Sequence, residues 1–216
     1  MIDFYTWSTS NGRKVAIGLE EMGLAYRVHP IDIYANAQFD PAFTAISANA
    51  KIPAIVDHDA GVTMFESGAI LIHLAEKTGQ FLPASGPRRA EVLQWLMWQM
   101  GGFGPILGQT AHFLHYSPGK SAYAAERFGT EARRLYGVLD RQLAAAEFVA
   151  GDYSIADMAI WPWSTRFEHQ KIDLREFAHV ARWYAAVARR PAVQRGYRVP
   201  DASLTPPTPS AQGAAA

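Results

Sequence analysis

The sequence predicts an α/β domain followed by an all-α domain, and three observations carry that reading. Short apolar runs at 2–5, 26–33, 54–56 and 62–65 have strand composition, and helical periods fill 13–22 and 67–77. A stretch punctuated by proline and glycine, Phe81-Leu82-Pro83-Ala84-Ser85-Gly86-Pro87, then divides the chain. Beyond it every periodic segment is helical. The expected boundaries are 1–80 for the first domain and 88–200 for the second. Residues 201–216, rich in Pro, Ser, Thr and Ala, are expected to be disordered.

Taken in order, residues 2–5 form a first strand and Trp7 to Gly12 a polar loop. The helix over 13–22 carries Val15, Leu19 and Met22 on one face, and Gly23 suits the position after its end. A second strand over 26–33 completes a βαβ unit, which implies a parallel pair. Residues 35–47 are irregular, with Pro41 opening a short helix. The runs at 54–56 and 62–65, joined by turn residues Asp57 to Gly61, read as a β-hairpin. In the second half, Ala90, Leu93, Met97 and Met100 form a stripe that Trp95 and Trp98 widen. Gly101, Gly102, Gly104 and Pro105 must bend or interrupt that helix. A long helix over 121–146 follows. Ser154-Ile155-Ala156-Asp157 then has the capping-box pattern, so Asp157 reads as structural rather than catalytic. Pro162 should kink that helix, and Pro191 should end the last stripe of Val180, Trp183, Tyr184 and Val187.

Composition excludes several function classes. Hydrophobic content of 49% and charged content of 19% are globular values, and net charge is zero, which argues against nucleic acid as a partner. No signal-peptide pattern and no membrane-spanning run is present, so a cytoplasmic protein with no membrane partner is expected. There is no metal-ligand spacing; His112 and His115 are joined by no carboxylate or thiol. The chain has no cysteine. That removes disulfide scaffolds, Cys-x-x-Cys redox motifs and cysteine nucleophiles, and any thiol chemistry must use a sulfur brought by the substrate.

The stretch 49–68 concentrates binding chemistry. Pro53 cannot sit inside a central strand and holds Ile52 extended, with main-chain groups free to pair with a peptide. Glu66 and Ser67 put a carboxylate and a hydroxyl at a helix start, where backbone N–H groups favour an anion. A peptide edge, an anion partner and a cation partner together suit a small zwitterionic peptide. Upstream, Thr9, Ser10 and Asn11 stand at another helix start. They suit an ordinary turn and cap, and they also suit donors aimed at a sulfur.

Lys51-Ile52-Pro53-Ala54-Ile55 and Phe65-Glu66-Ser67-Gly68-Ala69-Ile70 resemble the glutathione-binding core of the glutathione transferases. The resemblance implies a thioredoxin-like first domain, matching the β-α-β-α-β-β-α order, and a cis proline at Pro53. With Thr9-x-Asn11-Gly12, Gln38-Phe39, Gln94-Trp95, Gly101-Gly102, Glu126-Arg127 and Trp161-Pro162-Trp163, the likeness reaches to about Pro200. It is to the bacterial nu class, related to the transferase-like domain of a yeast nitrogen-regulatory prion protein. It implies glutathione as co-substrate, as two molecules or the disulfide form per site, and glutathione-dependent disulfide reduction. It implies that Thr9 and Asn11 face the sulfur, while Gln38 and Ile52 hold the peptide. Glu66 and Ser67 then bind the γ-glutamyl end, and Arg127 a carboxylate, in its own subunit or across a homodimer. Lys51 is a weaker partner for the glycyl carboxylate. Ser10 departs from the proline expected there, and Tyr5 is the alternative hydroxyl. Conjugation, peroxidase activity, a non-catalytic interaction module and a storage protein are the competing readings. The Trp95, Trp98, Gly101 and Gly102 surface is the expected dimer face.

Overall fold

Strand β1 (Ile2–Thr6) buries Ile2, Phe4 and Thr6 on alternate positions, the period-two signature of a strand. The computed structural model describes residues 1–209 of the chain. β1 pairs parallel with β2 (Tyr26–Pro30), Phe4 opposite Val28, and antiparallel with β3 (Ala54–Asp57), Phe4 opposite Ile55. β4 (Val62–Phe65) closes the hairpin, giving the order β2-β1-β3-β4. The expected first-domain architecture is therefore present. The second strand stops at Pro30 rather than 33, because Asp32 turns the chain by accepting from the backbone N–H groups of Tyr34 and Ala35 at 2.9 and 3.3 Å.

Helix α1 (Ser10–Glu21) starts three residues before the expected position, capped by Thr9. A short turn at Ala37–Phe39 and helix α2 (Pro41–Thr44) precede the hairpin, and α3 (Ser67–Thr78) follows it. The second domain comprises α4 (Gly86–Trp98), a π turn (Gln99–Phe103), α5 (Gly104–Ala111), a second π turn (His112–Tyr116), α6 (Ala122–Ala144), α7 (Ile155–Ser164), α8 (Ala178–Ala188) and α9 (Pro191–Tyr197). The glycines after Trp98 interrupt the helix, as expected, by widening it to a π turn. Pro191 does more than end a stripe. It opens α9 at the first helical position, where a missing N–H costs nothing.

α1 is the wedge between the domains. Val15, Ala16, Ile17 and Leu19 are all buried, and burial of each larger side chain contributes roughly 1.5–3 kcal/mol. From the first domain α3 packs closely at Gly18, where a Cβ would come within 2.6 Å of Leu71. From the second, α9 lies on the α1 backbone at Gly196, where a Cβ would stand 2.7 Å from Ile17 Cα. Arg13 donates to the Tyr197 carbonyl at 3.3 Å and lies 3.7 Å over its ring. Arg190 grips Glu21 at 2.6 and 2.9 Å, and Arg195 meets Glu20 at 2.6 Å.

Two expectations need correction. The Trp95 ring is buried within the chain against Trp98, and Trp98 stacks on Phe103, so little of this aromatic surface is left for a partner. The end of the chain is seated over residues 201–209, where Leu204 packs on the core and Tyr184 Oη donates to the Pro207 carbonyl at 2.6 Å. The remainder of the region expected to be disordered lies outside the described residues.

Asp157 is structural, as expected. Its buried carboxylate accepts from Val149 N (3.0 Å), Ser154 N (3.0 Å), Ser154 Oγ (3.2 Å) and Trp183 Nε1 (2.8 Å). Asp157→Ala strands several buried donors and should cost about 3–5 kcal/mol. The expected result is a lower urea midpoint at unchanged slope. A variant as stable as the parent would overturn this role.

Candidate active site

The sheet and α1 place three chain segments at one cleft. They are the amino end of α1, the loop 49–53, and the amino end of α3; the π turn, α5 and α7 form the facing wall. The cleft has an inner part of about 460 Å³ and an outer part of about 580 Å³, which share Asn11, Asn49, Lys51, Ile52, Gly108 and Trp163.

Thr9 and Asn11 are arranged as donors. Thr9 Oγ1 accepts from Gly12 N at 3.2 Å, which leaves its hydroxyl proton to be given elsewhere. Asn11 Oδ1 accepts from Trp163 Nε1 at 3.0 Å. An indole N–H can only donate, so the amide oxygen is held on the Trp163 side and the NH₂ end is left for the cleft. Both groups stand in the first turn of α1, where the helix dipole favours negative charge. Ser10 also lines the outer part. Tyr5 does not line the cleft; its ring stacks on His29 at 4.6 Å.

The residues expected to hold a peptide also line the cleft. The Ile52–Pro53 bond is cis, as the family resemblance implied, and among the described residues no backbone hydrogen bond involves Ile52. Ser47 Oγ anchors the loop by donating to the Lys51 carbonyl at 2.9 Å. Glu66 adopts φ 73°, the left-handed half of backbone space for a non-glycine residue, a strain of about 1–3 kcal/mol that is characteristic of functional sites. Its carboxylate is exposed and forms no ion pair among the described residues, and Ser67 begins α3 beside it. Gln38 lines the outer part, and its buried Oε1 has no hydrogen-bond partner among the described residues.

Arg127 is placed elsewhere. It lies on α6 in a separate depression with Ile106, Tyr123 and Glu126, and does not line the cleft of its own chain. Three cleft groups were missed by sequence reasoning: Lys14, Trp163 and Arg166. Lys14 had a signal, since the buried run Val15 to Leu19 beside it leaves a lysine no solvated face. Trp163 entered only as part of the Trp161-Pro162-Trp163 motif, with no role at the site. Arg166 has no local signature. No group of three or more metal-ligating side chains occurs among the described residues.

Lys14 sits on the inner floor, 1% exposed, donating to Gln99 Oε1 at 2.6 Å and Met100 Sδ at 3.3 Å. It has no carboxylate partner among the described residues. Burial pushes its pKa down to about 7, partly offset by the field of Glu66. Lys14, Lys51 and Arg166 thus face the single acid Glu66, a balance that favours an anionic ligand.

Family models for the glutathione S-transferase N-terminal and C-terminal domains match residues 9–77 and 103–191. Disulfide-bond oxidoreductase YfcG of Escherichia coli is 48% identical over 198 residues, covering 89% of this chain and 92% of its own. The chain belongs to the glutathione S-transferase family. Among solved transferases, one from Burkholderia graminis with two glutathione molecules per subunit superposes with a TM-score of 0.88 at 41% identity, covering 93% of this chain and 88% of that one. One from Pseudomonas putida with one glutathione disulfide per subunit has a TM-score of 0.85 at 43% identity, covering 92% and 91%.

The buried Lys14 of this transferase makes its stability pH-dependent. Its folded pKa lies below the ordinary lysine value of 10.5, so above about pH 7 the unfolded chain holds a proton that the folded one has released. The penalty of burying the charge is complete below pH 7 and fades as pH rises toward 10.5. Ligand-free protein should therefore gain melting temperature relative to Lys14→Met between about pH 6.5 and about pH 9. Parallel melting curves for the two proteins would show that Lys14 keeps an ordinary pKa.

Proposed function

We propose that this transferase is a cytoplasmic, homodimeric, nu-class enzyme that reduces disulfides with glutathione. The observation that carries the reading is the donor pair of Thr9 and Asn11, with the Asn11 amide oriented by Trp163, in a chain that has no sulfur nucleophile of its own. A free thiol has a pKa near 8.5, so about a few per cent is thiolate at pH 7. Two donors at a helix amino end favour the thiolate, and each unit by which they lower its pKa is worth about 1.4 kcal/mol.

In this reading Glu66 and Ser67 take the γ-glutamyl end, the ammonium on the carboxylate and the carboxylate at the start of α3. The Ile52 main chain pairs with the cysteinyl unit beside the cis Pro53, and Gln38 Oε1 accepts a ligand N–H. Lys51 faces the glycyl carboxylate. Arg127 serves the cleft of a second subunit. Gly101 and Gly102, with open space over their α-carbons, and exposed Met97 support a partner surface on this side.

The chemistry proceeds by two exchanges. The thiolate of bound glutathione attacks one sulfur of the substrate disulfide; a new S–S bond forms, the old one breaks, and the departing thiolate takes up a proton. A second glutathione thiolate then attacks the glutathione sulfur of the mixed disulfide, releasing the other substrate thiol and leaving glutathione disulfide. Two glutathione molecules are oxidised and supply the two electrons that reduce the substrate.

The test is turnover of hydroxyethyl disulfide, with glutathione regeneration coupled to NADPH consumption. Activity should exceed aryl-halide conjugation and survive cysteine-alkylating treatment of the protein. Asn11→Ala should lower kcat by roughly ten- to a hundredfold, the scale for losing one preorganised donor to developing charge. Trp163→Phe, which frees the amide to turn, should lower it less. Conjugation without disulfide turnover would replace this reading with a conjugating transferase. Glutathione binding with neither activity would favour a non-catalytic module.

A further inference from the structure

The outer part of the cleft holds a guanidinium that the two exchanges leave without a task. Arg166 follows the end of α7 and stands half-buried at the outer part of the cleft, which Thr9, Asn11 and Gln38 also line. It has no ion pair among the described residues, whereas Arg133, Arg134, Arg190 and Arg195 all do. Its charge bears on buried Arg13 and on His169.

Its position is nevertheless fixed. Arg166 Nη2 donates to Tyr116 Oη. Tyr116 Oη lies 3.2 Å from His169 Nδ1, and the His169 ring stacks on His115 at 3.8 Å and 10°. A guanidinium can only donate, so the phenol oxygen accepts from Arg166 and its O–H donates to Nδ1. His169 suits that acceptor role because burial, with Arg166, His115 and Lys171 around it, pushes its pKa down to about 4 and keeps the ring neutral. The relay occupies one nitrogen of Arg166 and leaves other N–H groups for the cleft. A planar guanidinium with a free edge binds a carboxylate best, in two parallel hydrogen bonds.

We propose that Arg166, positioned by Tyr116 and His169, binds a carboxylate on the disulfide partner and makes the enzyme select acidic disulfides over neutral or cationic ones. The inference rests on the disulfide-reductase reading and names its substrate class: disulfides with a carboxylate a few bonds from sulfur, as in thiol peptides. Arg166 touches the substrate away from the reacting sulfurs. Tyr116 is a positioning residue that acts through it.

Three small disulfides of similar size separate charge from reactivity: 3,3′-dithiodipropionate, hydroxyethyl disulfide and cystamine. The readout is kcat/KM for the disulfide, which reports the steps through the first exchange. The native enzyme should prefer the dicarboxylate. Arg166→Gln should lower its kcat/KM by about tenfold or more while hydroxyethyl disulfide stays within about twofold, the expected pattern for losing one charge-assisted contact. Arg166→Glu should shift the preference to cystamine. Tyr116→Phe should show a weaker form of the Arg166→Gln pattern. Equal loss on all three substrates, or no loss on any, would overturn the proposal. If no disulfide is turned over, the reductase reading has failed and the subsite is decided by calorimetry. Arg166→Gln must then weaken glutathione disulfide about tenfold or more and leave S-methylglutathione unchanged; equal affinities for parent and variant would reject it.

Discussion

Helix α1 is buried on every side, and the remainder of the molecule is arranged to keep it so. One side of it is packed on α3, the other on α7 and α9. Its carboxyl end is held by Arg190 and Arg195. A helix clamped in this way has little freedom to slide or rotate. The consequence at its other end is chemical, because Thr9 and Asn11 inherit that rigidity. Preorganised donors stabilise developing charge without reorganising during reaction, which is where much of an enzyme's electrostatic advantage resides.

The cleft is unbalanced by design of its walls. Lys14 is buried against a neutral amide and a thioether, half-buried Arg166 donates to a phenol, and Glu66 extends its carboxylate without an ion pair among the described residues. Each arrangement leaves charge or hydrogen-bonding capacity unused within the protein. Buried Gln38 Oε1 and Gln99 Nε2 are unused in the same sense. Polar groups buried without partners cost about 1–3 kcal/mol each, so a ligand that satisfies them recovers free energy already spent in folding.

Local chemistry made much of this legible before the coordinates. Pro53 announced the extended loop before β3 and Glu66-Ser67 the helix start, because proline restriction and cap preference act over one or two residues. The Ser154–Asp157 box was equally local. What could not be read depends on contacts between distant segments. Trp163 lies 152 residues from Asn11, and no pattern in either vicinity implies the hydrogen bond that orients the amide. Tyr116 and Arg166 meet only because a π turn and the end of α7 converge. The Trp95 misreading has the same origin: an aromatic residue on a helical stripe looks alike whether it faces its own core or a neighbour.

The Trp163 to Asn11 hydrogen bond also bears on how such a protein can be inherited or rebuilt. On the reading proposed above, the donors to sulfur come from one domain, and the group that aims one of them comes from the other. A first domain grafted onto a foreign partner would keep its hairpin and its peptide edge, yet its Asn11 amide would be free to present oxygen where nitrogen is needed. It would bind and not activate. Recombination can therefore exchange loops around this cleft, but the two domains must travel as a pair.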